Sequence, residues 1–339
     1  MKVETGVSID LAKAGEDAKR AEALGYDGVV TPETGHDPFF PLVIAGEHTS
    51  KITLGTAVAI CFPRSPMVTA QMAWDLQKFT GGRFLLGIGT QVKAHNVRRY
   101  STPWDGPAAP RLREYIEMLR AIWDCWQTGS KPSYRGKHYE FTLMSPVFNP
   151  GPIDQPHIPI YISAVNPYNA RLAGELCDGL RLHGFNTPKY LQEVIMPAVE
   201  AGAAKAGRSI KDIDIAGLGF LITGRNSAEL TANAAPVRRQ IAFYASTPSY
   251  KPVLDVHGWG DVGERLLEMS RRGEWAAMSE LITDDMLEEF CTIATYDDLV
   301  PKVLKHYGGI TTRATFGIPA RSPEDEAALR SMIEQLQRA

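Results

Sequence analysis

Along most of the chain, short apolar runs alternate with stretches whose apolar residues recur every three or four positions. These are the periods of buried strands and of amphipathic helices. Strand-like runs cover Lys2–Val7, Asp27–Thr31, Ile52–Ile60, Phe84–Gly89, Ile158–Ala164, Gly179–His183, Ile213–Thr223 and Thr311–Ile318. Helical spacing marks Asp10–Leu24, a segment through Phe40 to Glu47, the stretch after Pro66, Arg111–Trp126, Pro167–Leu176, Pro188–Ala206 and Ser322–Arg338. The last of these carries a start signal: Ser322 as N-cap, Pro323 in the first turn, then Glu324, Asp325 and Glu326. Eight strand–helix alternations without a flexible linker predict one α/β domain over residues 1–339, a (β/α)8 TIM barrel with insertion segments. An open doubly wound sheet is the runner-up. The pattern breaks at about 129–156, a proline-rich insertion with room for a hairpin around Tyr134–Phe141, and an extra helical segment spans about 227–307.

Composition excludes more than it assigns. With 36 basic and 39 acidic residues the net charge is −3, and the two signs are interleaved, so neither nucleic acid nor an anionic membrane is an expected partner. The N-terminus lacks an apolar leader core, and no run approaches membrane-spanning length, so a cytoplasmic protein is expected. Cys61, Cys125, Cys177 and Cys291 lie far apart in sequence and read as buried, reduced thiols. No metal-ligand spacing, serine-nucleophile elbow or P-loop occurs, which leaves a bound cofactor as the source of reactivity.

In a barrel the chemistry gathers where strands end. Those places are Glu33–Asp37, Ala57–Arg64, Thr90–His95, Ser163–Asn166 and His183–Asn186. Gly87-Ile88-Gly89 falls short of a dinucleotide fingerprint, because Val92 stands where a third glycine belongs. Glu33 and His36 are the candidate catalytic proton carriers, set against a capping or ion-pair role in an ordinary loop. Arg64 would meet an acidic tail or cap the next turn. Trp104, Phe39, Phe40 and Phe185 would wall a pocket or fill the core.

Leu54-Gly55-Thr56-Ala57-Val58, Arg64-Ser65-Pro66 and Gly81-Gly82-Arg83-Phe84-x-Leu86-Gly87-Ile88-Gly89 together resemble the bacterial luciferase-like superfamily, in particular its F420-dependent oxidoreductase branch. Gln91-Val92-Lys93-x-His95, Arg98-Arg99-Tyr100 and Pro146-x-Phe148-x-Pro150-Gly151-Pro152 resemble an actinobacterial subgroup of it. The resemblance implies a luciferase-like barrel, a small-molecule substrate, coenzyme F420 (a deazaflavin) and a homodimer. FMN, in a monooxygenase, is the alternative cofactor, and a non-catalytic cofactor-binding protein is a third reading. It also implies a non-proline cis peptide at Ala57-Val58 behind the deazaflavin. Thr90 and Gln91 would flank its rings, His95 would lie near its phosphate-bearing tail, and Ser163, Ala164, Val165 and Asn166 would wrap the ribityl phosphate. Two departures count against sugar-phosphate oxidation. Glu33-Thr34 stands where the family's sugar-phosphate dehydrogenases have Asp-His, and Val92 where they carry an acid.

Overall fold

Local signals in the sequence set most element boundaries. Asp10 caps the helix Leu11–Leu24, its carboxylate accepting the Ala12 N–H at 3.1 Å, and Gly25 ends the helix at φ 95°. Ala14, Ala18, Ala21 and Leu24 form its buried face. The computed structural model describes all 339 residues, and it contains eight barrel strands. They are Lys2–Gly6, Gly28–Thr31, Thr53–Thr56, Phe84–Gly89, Ile160–Ala164, Gly179–Leu182, Asp214–Ala216 and Arg313–Thr315. Their hydrogen-bonded order is third, second, first, eighth, seventh, sixth, fifth, fourth, and the third also pairs with the fourth, closing the ring. First and second strands run parallel in the register Glu4↔Gly28, second and third in Gly28↔Thr53. The fold is a (β/α)8 barrel.

The chain divides into two compact units. One comprises Glu4–Ser163 and Leu172–Gly179. Within it all six residues of Phe84–Gly89 are buried, as expected of a strand covered on both faces. The Arg83 guanidinium donates to the carbonyls of Gly46, Thr49, Ile52 and Thr80, closing the turn before that strand. The insertion carries a short hairpin, Tyr134–Arg135 against Glu140–Phe141, and the Glu114 carboxylate accepts three N–H groups of its turn, Lys137, His138 and Tyr139.

The other unit comprises Met1–Val3, Ala164–Arg171 and Leu180–Ala339. Here three sequence expectations need correction. The run Ile213–Thr223 is two strands, Asp214–Ala216 and Phe220–Gly224, because the chain turns at Gly217 with φ 120°. The helical segment 227–307 contains a strand, Cys291–Thr295, that pairs in parallel with Phe220–Gly224. Pro188–Ala206 is helical but passes through a π segment at Leu191–Ile195 before the α-helix Met196–Lys205.

Gly202 in that helix lies against the backbone of Arg171. A Cβ there would sit 2.8 Å from the Arg171 carbonyl carbon and closer still to its oxygen. Glycine-to-alanine in a helix normally gains about 1 kcal/mol. Here the sign reverses: Gly202→Ala is expected to cost about 1–3 kcal/mol through overpacking. Urea denaturation checks it, and a stabilised variant would contradict the contact.

Candidate functional site

Within the first unit, the loop after the second strand is drawn in by Thr31, whose hydroxyl donates to the Pro38 carbonyl at 2.6 Å. This places Glu33 over the end of the third strand. Its N–H reaches the Val58 carbonyl at 3.4 Å, and its Oε2 accepts the Ile60 N–H at 2.6 Å and an Arg64 N–H at 2.7 Å. Arg64 donates its other arm to Asp37 at 2.8 Å and caps the Ile60 carbonyl at 2.9 Å. The Glu33 side chain is only 6% exposed and that of Arg64 17%. Burial opposes the Arg64 charge, but the Glu33 and Asp37 carboxylates outweigh it and the net shift is upward. Arg64 thus ties two acids of one loop together and also bonds the Ile60 carbonyl. The second Glu33 oxygen, Oε1, has the Tyr100 hydroxyl at 3.5 Å. Burial, then the Glu33 carboxylate, push the Tyr100 phenol up, so it stays a donor at neutral pH. His36 is exposed, with no hydrogen-bond or ion-pair partner.

Next to Glu33 the third strand is interrupted. The Ala57-Val58 peptide is cis, between Thr53–Thr56 and the two-residue continuation Ala59–Ile60, while the Ala57 N–H donates to the Thr31 carbonyl at 2.8 Å. Thr56 locks this edge to the fourth strand, its hydroxyl donating to the Gly87 carbonyl at 2.6 Å and accepting the Gly87 N–H at 2.9 Å. At the end of the fourth strand a Cβ on Gly89 would lie 2.7 Å from Ser163 Oγ and 2.8 Å from Val58 Cγ2. Glycine is therefore what lets Val58 and Ser163 meet over this strand end. Beyond it Gln91 adopts φ 58°, and its Oε1 accepts the Val92 N–H at 2.8 Å. The Thr90 carbonyl accepts from Asn96 at 2.8 Å. His95 is exposed on Lys93–Arg98, a helical turn the sequence pattern did not show.

In the second unit, Ala164 is buried, the Val165 carbonyl accepts the Tyr190 hydroxyl at 2.7 Å, and Asn166 caps the following helix by accepting the Asn169 N–H at 2.9 Å. A small cavity of about 10 Å³, room for about one water, is lined by Ala164, Val165, Leu182, His183, Asn186 and Tyr190 among others. The Asn186 Oδ1 is buried without a partner. His183 stands just past the sixth strand, and burial pushes its imidazole down to about 4. Of the aromatic residues considered as pocket walls, Phe39 and Phe185 are core, Phe40 is 63% exposed, and Trp104 packs edge-on to Phe62.

Sequence reasoning found Glu33 and the strand ends but missed that Arg64 and Tyr100, up to 67 residues away, partner that carboxylate and that Arg64 also holds Asp37. It also passed over His183, although His183 opens one of the strand-end loops.

The family model of luciferase-like monooxygenases matches residues 2–312. The chain belongs to that family. An uncharacterized protein of Mycobacterium tuberculosis is 40% identical over 313 residues, covering 92% of each chain. The 5,10-methylenetetrahydromethanopterin reductase of Archaeoglobus fulgidus is 28% identical over 308 residues, 89% of this chain and 88% of the relative. Among solved structures, the coenzyme F420 dependent tetrahydromethanopterin reductase from Methanopyrus kandleri superposes with a TM-score of 0.77 at 23% identity, covering 100% and 98% of the two chains. That likeness carries the luciferase-like barrel fold.

Proposed function

We propose that this chain is an F420-dependent oxidoreductase that transfers a hydride between the deazaflavin C5 and a small organic substrate. The observation that carries the reading is the likeness, along nearly the whole chain, to reductases of which one is named for coenzyme F420. The residues present fit such a cofactor. Ala57, Val58, Gly89, Thr90, Gln91 and Ser163 are uncharged, as a flat ring system wants of its surroundings. Lys93, His95, Arg98 and Arg99 concentrate basic groups on one short helix and the residue after it, which suits an anionic tail. In this reading Ala57 and Val58 back the rings, Thr90 and Gln91 flank them, and His95 lies near the tail. Ser163, Ala164, Val165 and Asn166 supply backbone to the phosphate, with the Asn166 side chain kept as a helix cap. When bound, the deazaflavin supplies a ring carbon that gives or takes two electrons as hydride.

Glu33 and His36 are the residues assigned to proton handling. Glu33 Oε2 is committed to Arg64 and Ile60, so its free acceptor is Oε1, facing the Tyr100 hydroxyl. Glu33→Gln is expected to lower turnover about 100-fold, the scale of a lost acid–base group, with F420 affinity within about threefold of the parent. His36→Ala, at an exposed and unpartnered position, is expected to lose less, about tenfold, with affinity likewise retained. Steady-state rates beside cofactor fluorescence titrations check both variants. Unchanged turnover in both would remove the assignment.

A homodimer belongs to the same reading, and an exposed apolar face supports it. Phe40, Val43 and Phe79 flank one cleft, Val147 and Phe148 the next, and Asp75 lies in both. Phe40, Phe79, Val147 and Phe148 are 63%, 54%, 88% and 73% exposed. Contiguous exposed apolar groups of this kind mark an interaction surface. Sedimentation equilibrium is expected to give twice the chain mass, and Phe79→Ser with Phe148→Ser the single mass. A monomeric parent would contradict it.

A further inference from the structure

The short helix Lys93–Arg98, which follows the fourth barrel strand, has a single buried residue, Asn96. Its apolar neighbours Val92 and Val97 are exposed, so the helix is anchored through an amide rather than an apolar face. A side-chain amide nitrogen carries two hydrogens. Both are used here: Asn96 Nδ2 donates to the Thr90 carbonyl at 2.8 Å and to the Val92 carbonyl at 3.2 Å. Those two carbonyls stand on either side of Gln91. The Asn96 backbone is held as well, its N–H donating to the Val92 carbonyl at 3.2 Å and its carbonyl accepting the Thr102 N–H at 2.8 Å. All of these residues belong to one compact unit.

The residue between those carbonyls is strained. Gln91 has φ 58°, a left-handed conformation in which the Cβ of an L-residue crowds the following carbonyl oxygen. Two non-glycine residues of the chain have a positive φ, Gln91 and Ser101, and they flank this helix on its two sides. Such strain persists only where surrounding bonds enforce it, and it collects at ligand sites. The clamp has a second cost, because Asn96 Oδ1 is buried without a partner, a loss that an apolar side chain would not incur. Two local penalties in one short segment mark a functional site more than an ordinary loop. The Gln91 amide is itself oriented by the turn. A backbone N–H can only donate, and that of Val92 reaches Gln91 Oε1 at 2.8 Å, which fixes the oxygen inward. The Nε2 hydrogens of this half-buried side chain are left with no acceptor in the protein.

We propose that Asn96 is a positioning residue of the cofactor site: it holds the left-handed turn at Gln91, so that Gln91 Nε2 is presented as a donor to a carbonyl oxygen of the bound ring system. Gln91 is the ligand contact, and Asn96, buried throughout, acts only through it. The inference rests on the deazaflavin reading and deepens it, since Thr90 and Gln91 flank the rings there. Without the clamp, Gln91 relaxes to a right-handed or extended backbone, which redirects its side chain. The same anchor sets Lys93, His95 and Arg98, so its loss also releases basic groups assigned to the anionic tail.

Asn96→Leu keeps the branching of the side chain and removes the amide. Titration of the full-length variant with F420, followed by cofactor fluorescence, is expected to show binding about tenfold weaker than in the parent. A side chain that only fills space could weaken binding too, so a double-variant cycle on stability is read beside it. Glycine adopts the left-handed conformation without strain and needs no clamp. The rise in the unfolding constant caused by Asn96→Leu is therefore expected to be at least about fivefold smaller in the Gln91→Gly background than in the parent, by urea denaturation. A residue that merely packs gives the same rise in both. Circular dichroism identifies a variant that has not folded, and Asn96→Ala then replaces Asn96→Leu in both measurements. F420 affinity within about twofold of the parent, or equal rises in the two backgrounds, overturns the inference. The two readings fail separately. F420 binding with equal rises defeats this inference alone, whereas a parent that binds no F420 defeats the cofactor reading, and unequal rises then still identify Asn96 as the clamp on Gln91.

Discussion

Arg64→Leu is expected to lower the unfolding free energy by about 3–5 kcal/mol, because it strands the Glu33 carboxylate in a site with little access to water. The magnitude turns on burial. An exposed pair is worth about 0–1 kcal/mol, and many such pairs nothing measurable. The Glu33 side chain is 6% exposed and also takes the Ile60 N–H, so it cannot swing out to be hydrated without undoing the loop. Arg225 and Glu229 form the contrasting case, an i,i+4 pair with Arg225 59% exposed, and Arg225→Ala is expected to leave the denaturation midpoint in place. The double variant Glu33→Leu, Arg64→Leu tests the cause. Removing both charges removes the uncompensated ion, so the double variant is expected to lose less than the two single losses added together. Urea denaturation of the three variants measures this. A loss below about 1 kcal/mol in Arg64→Leu would mean that the carboxylate finds water or a new partner.

The second large effect is a loss of stability in acid that His183 causes. Its folded pKa is about 4 against the ordinary 6.5, with burial as the cause. Between those values the unfolded chain binds a proton at this position and the folded chain does not. Stability is therefore full above pH 6.5 and falls as the pH drops toward 4, by roughly 3 kcal/mol for a shift of this size. His183→Phe cannot take up that proton, so its stability should fall less over the same window. His257 and His306, also pushed down by burial, act in the same direction and persist in the variant, so its profile flattens without becoming level. Chemical denaturation at pH 7, 5.5 and 4 gives the comparison. Parallel profiles for parent and variant would show that His183 is solvated when charged.

These two effects illustrate which parts of the molecule the sequence makes legible. Phe84–Gly89 and Pro167–Leu176 are read from the sequence with their observed limits, since a continuous apolar run and a proline-started helix are local signals. The break inside Ile213–Thr223 is not, because the run keeps its apolar character and only Gly217 and Gly219 hint at a turn. The strand Cys291–Thr295 is hidden for a similar reason: five residues between helices are too few to establish a period. At the site, strand ends could be located from pattern alone, which brings out Glu33. That its carboxylate is tied to Arg64, and that Arg64 also holds Asp37, depends on how two loops pack. No spacing rule carries that information. The Ala57-Val58 cis peptide followed from resemblance, and the His183–Tyr250 stack, 67 residues apart in sequence, followed from neither.

The central claim is the choice of cofactor. Purified protein titrated in parallel with coenzyme F420 and with FMN, followed by cofactor fluorescence, tests it most directly. The account predicts binding of F420 at least about tenfold tighter than FMN, a difference of ~1.4 kcal/mol. Equal or tighter binding of FMN would contradict it and turn the reading toward oxygen-dependent monooxygenation.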